Sequence, residues 1–181
     1  MKTALLLIDI QNDYFAGGKS ELFEPEKALA QAEKVLKIFR EAGLPIIHVQ
    51  HINNREGATF FLPDTKGVEI HESLTPKQDE FMIIKHYPNS FFETDLLNVL
   101  HDQNIKSLVV CGMMSHMCID TTVRAAKDYR LAVTLLEDAC TTKNLVFNGE
   151  TIPAATVHKS YMAGLNNMFA RVIRTSELEL N

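Results

Sequence analysis

"LVVCGMMSHMCIDTTVRAA", residues 108–126, passes from an apolar segment of β type into one of helical period, with Cys118 just inside the join. A strand followed by a helix is the repeating unit of a parallel sheet, because parallel neighbours must be joined by a crossover and the crossover is usually a helix. The same alternation continues on both sides. Residues 4–8 are apolar at every position, as a strand covered on both faces should be, and the run stops at Asp9 in the polar "DIQND". A helix is expected from Pro25, with Leu29, Ala32, Leu36 and Phe39 on one stripe and an end at Gly43. Further strands are read at "PIIHVQ", "FMIIK", "SLVVC", "LAVTLLE" and "RVIR", and further helices over 94–102, from about His116, and from near Thr151 and Pro153. Right-handed crossovers then predict an α/β fold: a Rossmann-like three-layer α/β/α sandwich around a six-stranded parallel sheet of order 3-2-1-4-5-6, with residues 1–181 forming a single domain. The long irregular stretch 51–80 is of a length that is usually functional or mobile, and is expected to wall a pocket.

The totals narrow the partners. An apolar fraction of 46% over 181 residues suits a packed core, and a net charge of -5 without a basic block offers no footprint for nucleic acid or an anionic membrane surface. The apolar run at the N-terminus is too short for a signal peptide core or for the ~20 residues of a membrane span, so a cytoplasmic location is expected. Three cysteines without CxxC spacing suggest neither a disulfide framework nor a cysteine zinc site. Cys111, inside a strand, reads as a packed core thiol, and Cys140, in "EDACTT", as a loop thiol.

In the predicted order the first and fourth strands are neighbours, and their carboxyl ends flank the point where the strand order reverses, where open α/β sheets bind ligands. Asp9 ends the first strand, Lys85 the third, and Cys118 follows the fourth. Each alone has an ordinary reading: a cap or turn residue, a strand-end charge reaching water, a buried thiol. Converging on one crevice, they read as a nucleophile with a base and a cation. A thiol in the first turn of a helix lies near unpaired N–H groups and the positive end of the helix dipole, which favour thiolate and stabilise an oxyanion.

These residues carry a resemblance. "LLLIDIQNDYF", "IIKHYPNSFFETDL" and "VVCGMMSHMCIDTTVRAA", in that order, resemble the isochorismatase-like cysteine hydrolase superfamily over nearly the whole chain. The resemblance implies a catalytic triad of Asp9, Lys85 and Cys118, an oxyanion hole made by the backbone N–H groups of Met114 and Cys118, a cis peptide at Met113–Met114, and a homo-oligomer, dimer or higher. By motif position Tyr14 and Phe91 are expected near substrate, with Phe60 and Phe61 as lid residues and His116 as a further contact. Core packing is the competing reading for the aromatics, and a solvent-facing position at the helix start for His116.

Departures from the family narrow the chemistry. Its nicotinamidases carry an Asp-x-His metal motif after the second strand, where this chain has "HVQHINN", so neither metal nor cofactor is expected. His48 and His51 fall on opposite faces of a continued strand. Because Cys118 is retained, the expected activity is hydrolysis of an amide or ureido C–N bond in a small molecule through an acyl-enzyme. Vinyl ether hydrolysis with Asp9 as the acid, and a non-catalytic binding or thiol-sensing module, remain as alternatives.

Overall fold

The computed structural model describes residues 2–180. Its main sheet is built from strands β1 (Thr3–Ile8), β2 (Ile46–His51), β3 (Phe81–Lys85), β4 (Ser107–Met113), β5 (Ala132–Thr141) and β8 (Arg171–Ile173). Between the last two lies a hairpin of β6 (Leu145–Phe147) and β7 (Glu150–Ile152). The six-stranded sheet has the order β3-β2-β1-β4-β5-β8, and every pairing in it is parallel. This is the expected order, the sixth sheet strand becoming the eighth in the chain because the hairpin intervenes.

Alternation along β1 divides the core in two, since successive side chains of a strand point to opposite faces. Leu5 and Leu7 face helix α1 (Pro25–Glu41), whose Leu29, Ala32, Val35, Leu36 and Phe39 share a buried cluster with Val109, Cys111 and Leu136. Ala4, Leu6 and Ile8 face α2 (Leu96–Asp102), α3 (Asp120–Asp128) and α4 (Ala154–Leu165), packing with Leu100, Val123, Ala126, Met162 and Leu165. Each fully buried aliphatic side chain of this kind stabilises the fold by roughly 2 kcal/mol relative to exposure.

Three local expectations need correction. Thr151 lies in β7 rather than in a helix, because 145–152 folds back as a ribbon before Pro153 caps α4. α2 starts at Leu96 instead of 94, with the Thr94 hydroxyl donating to the Ser90 carbonyl at 2.6 Å. Cys140 is no loop thiol: β5 runs on to Thr141, and Cys140 is buried opposite Gly112.

Two features set where the strands end. Gly112 has φ of +132°, and a Cβ there would overlap the Ile8 carbonyl oxygen, so only glycine lets the end of β4 approach β1 this closely. At the start of β3, Glu80 is gripped by Arg40 (Nε to Oε1, 2.6 Å), by His48 Nε2 (2.7 Å) and by the Lys77 N–H (3.0 Å). Burial would raise the Glu80 pKa, but Arg40, the Lys77 amide and His48 outweigh it and hold the carboxyl at about 2.

Gly112→Ala should therefore destabilise the protein by at least about 2 kcal/mol, read from denaturant unfolding; an unchanged midpoint would show that the β1–β4 approach is not tight. Glu80→Gln should lower stability at pH 7. A carboxyl whose folded pKa is depressed contributes stability above its unfolded value near 4.5 and loses it as pH falls toward about 2, so the gap between the two proteins should close across that window. A gap that stays constant with pH would refute this account of the cluster.

Candidate active site

Sheet register brings the three sequence-identified groups together. Ile8 pairs with Val49 and with Gly112, and Lys85 pairs with His51, so the ends of β1, β2, β3 and β4 form one rim. Asp9 leaves β1 in the left-handed region with φ of 53°, a conformation that Asp tolerates better than most residues. Lys85 Nζ lies 2.7 Å from Asp9 Oδ2, and both side chains are wholly buried. The remaining ammonium donors go to the Tyr87 carbonyl at 3.1 Å and to His51 Nδ1 at 3.2 Å, with the Pro88 carbonyl at 3.4 Å. An ammonium has three N–H groups, so Lys85 is fully occupied in holding the site.

After β4 the chain makes the cis Met113–Met114 peptide and enters a π-helical turn, Ser115–Ile119, that runs directly into α3. Single π turns inside α-helices recur at functional sites. Both the Met117 and Ile119 amides converge on the Met114 carbonyl, at 3.0 and 3.2 Å. Ser115 anchors the turn from behind, donating to the Thr141 carbonyl at 3.1 Å and pairing with His158 Nδ1 at 2.8 Å. Cys118 stands in this turn, buried, and its sulfur, an Asp9 carboxylate oxygen and a His51 ring nitrogen all lie within 4.8 Å of one another.

Charge in this enclosure is set by burial against pairing. Burial pushes the Asp9 pKa up, but the Lys85 ammonium, His51 and the Cys118 thiol outweigh it, and the net direction is down. Burial likewise works against the Lys85 charge, which Asp9 more than restores, so its pKa is raised. Cys118 goes the other way: burial first and the Asp9 carboxylate second raise its pKa well above that of a free thiol, Lys85 opposing them. The expectation that the helix start favours a thiolate is thus overturned for the resting protein. Desolvation and a neighbouring anion both disfavour the thiolate, and the thiol keeps its proton.

Asp9, His51 and Cys118 have the donor types and closeness of a metal site, yet the Lys85 ammonium already sits against two of them. The cation of this cluster is the lysine, and a divalent ion would meet it head on.

Among the other sequence-identified residues, Tyr14 is buried, its phenol pKa raised by burial and then by Cys118, Asp9 and Asp13. Phe60 and Phe61 pack against its ring in tilted geometry, with centroids at 5.9 and 4.5 Å. Phe91 packs on Tyr129 at 5.0 Å within the core on the α3 side. His116 turns to the end of β5, its Nδ1 against the Thr142 hydroxyl and its ring 6.0 Å from Tyr161.

Sequence reasoning missed Gln11, Asp13 and His51. Gln11 is buried, accepts from the His51 amide at 2.8 Å, and donates to the His51 carbonyl at 2.9 Å and the Val68 carbonyl at 2.6 Å. Asp13 accepts from the Phe61 amide at 2.6 Å and the Lys19 amide at 3.1 Å. Together they bind the 51–80 segment down over the rim, making it a fixed wall. For Gln11 and Asp13, polarity in "DIQND" was the available signal, but the Val68 and Phe61 groups they hold lie far along the chain. A separate cavity of about 580 Å³, lined by Phe23, Cys140, His158 and Met162, lies behind the π turn and contains none of Asp9, Lys85 and Cys118.

The fold agrees with what known proteins show. The Isochorismatase domain family model matches residues 3–177. YddQ of Bacillus subtilis (strain 168), an isochorismatase family protein, is 53% identical over 175 residues, spanning 97% of each chain. A crystal structure from Oleispira antarctica described as an isochorismatase hydrolase superposes with a TM-score of 0.93 at 46% identity, covering 97% of this chain and 95% of that one. Streptothricin hydrolase of Streptomyces noursei is 30% identical over 155 residues, 84% of this chain and 60% of that protein. The chain belongs to the isochorismatase family.

Proposed function

We propose that the protein is a cysteine hydrolase that cleaves a C–N bond, amide or ureido, of a small molecule through an acyl-enzyme on Cys118. The observation that carries this reading is the buried Asp9–Lys85 ion pair at 2.7 Å, with the Cys118 sulfur within 4.8 Å of the carboxylate. As the sulfur attacks the substrate carbonyl carbon, the thiol proton passes to Asp9. Negative charge develops on the carbonyl oxygen, which the Met114 and Cys118 amides receive, a contribution of roughly 3 kcal/mol per well-placed donor. The C–N bond then breaks, and Asp9 returns the proton to the leaving nitrogen. Water attacks the thioester, giving one proton to Asp9; the C–S bond breaks and the thiolate takes that proton back. Lys85 keeps Asp9 in position and stays charged throughout. Streptothricin hydrolase, by its name a hydrolase, supports the reaction class.

The electrostatics weigh against the rivals. Vinyl ether hydrolysis needs Asp9 as a protonated acid, and the lysine beside it holds it as carboxylate. A thiol sensor needs an exposed thiol of low pKa, whereas Cys118 and Cys111 are buried and raised, and Cys140 is pushed up to about 12. A small-molecule partner follows from a nucleophile this enclosed. No helix among the described residues is long and apolar enough to cross a membrane.

Cys118→Ala should lower kcat by at least about 10⁴ on whichever member of a panel of small amides and ureido compounds the native enzyme turns over, with thermal unfolding almost unchanged. Full activity in the variant would sink the scheme. Since the thiol is protonated at rest, alkylation of Cys118 by iodoacetamide, mapped by mass spectrometry, should be slow at pH 7 and still rising with pH beyond the ~8.5 of a free thiol. A rate already at its plateau near neutrality would contradict the raised pKa.

A further inference from the structure

The mechanism uses Asp9, Lys85 and Cys118 but leaves His51 unassigned, although it stands at the centre of the same rim. Its backbone is clamped on both sides by Gln11. Its Nδ1 is 3.2 Å from Lys85 Nζ and 3.8 Å from Asp9 Oδ2. The second distance is too long for a hydrogen bond, and the first is within range. An ammonium only donates, so Nδ1 must offer its lone pair to Lys85, and the ring proton is forced onto Nε2. Among the described residues Nε2 has no hydrogen-bond partner, and the side chain keeps 14% of its surface accessible. The Phe61 ring, with its centroid 6.0 Å away, walls one side. A donor whose orientation is fixed by a buried lysine, beside the nucleophile and lacking a protein acceptor, is built to meet an acceptor brought from outside.

We propose that His51 is a substrate-contacting residue whose Nε2–H donates to a second acceptor oxygen next to the scissile carbonyl. The preferred substrates would then be acylureas, imides, or amides and ureido compounds with an adjacent carboxylate, rather than amides or ureas with a single carbonyl. A lone amide carbonyl has its oxygen taken by the oxyanion amides and leaves the histidine N–H unpaired, a loss of about tenfold in kcat/KM for one neutral hydrogen bond. This inference rests on Cys118 being the nucleophile.

The test is long-range ¹H–¹⁵N NMR of the full chain labelled with ¹⁵N. The native protein should show His51 with Nε2 protonated and Nδ1 bare; a proton on Nδ1 overturns the proposal, whatever the enzyme hydrolyses. Cys118 is then alkylated at high pH with N-methylmaleimide, which leaves two carbonyls on the sulfur, or with iodoethane, which leaves none. Only the imide adduct should move the Nε2–H resonance downfield and slow its exchange with water. Equal spectra for the two adducts would remove the donor role while leaving the nucleophile intact. Refusal of Cys118 to take either adduct at any pH counts instead against the nucleophile, and with it against this inference.

Discussion

The ion pair between Asp9 and Lys85 is the constraint on which the rest of this site depends. Both groups are fully buried, and withdrawing a carboxylate and an ammonium from water costs several kcal/mol each before any attraction is counted. That cost is met by a 2.7 Å contact and by giving the remaining ammonium donors to backbone carbonyls and to His51. Removing either partner would leave an uncompensated buried charge, which is worth about 3–5 kcal/mol of destabilisation. The pair therefore ties the ends of β1 and β3 across β2, and it does so only because the parallel register puts Lys85 level with His51.

From that pair follows the state of the Cys118 thiol. A carboxylate held ionised beside a buried thiol makes the thiolate expensive, so the proton stays on Cys118 while Asp9 stays ionised. In the proposed mechanism, charge separation is deferred until a carbonyl arrives to accept the electrons and the oxyanion amides to accept the charge. A resting thiol of this kind is protected from adventitious oxidation by the same burial that makes it unreactive. Enclosure by the 51–80 segment, pinned through Gln11 and Asp13, keeps water from relaxing these interactions.

Family membership and the physical reading meet at different levels. The match over residues 3–177 establishes the fold lineage, while the geometry of the rim speaks to chemistry. His51 illustrates the distinction: no motif marks it, and the role proposed for it rests on a lysine that can only donate and an amide side chain that fixes its backbone.

Much was legible in the sequence because the information was local. Strand alternation, the all-apolar β1, Pro25 at a helix start and the apolar stripe of α1 each depend on neighbours within a few residues, and handedness then leaves few sheet orders. Asp9, Lys85 and Cys118 were legible because strand ends at a reversal of strand order must converge. The hairpin at 145–152 was not, since its short strands bury little and imitate a helix start. Nor were the distant partners of Gln11, Asp13 and Glu80, namely Val68, Phe61 and Arg40, which lie tens of residues away. Sequence by itself determined the six strands of the sheet, their order and the three groups at its edge, through periodicity and chirality. Only the tertiary structure decided their protonation and the placement of His51 against Lys85, because desolvation and hydrogen-bond direction are properties of a closed three-dimensional environment and have no period along the chain.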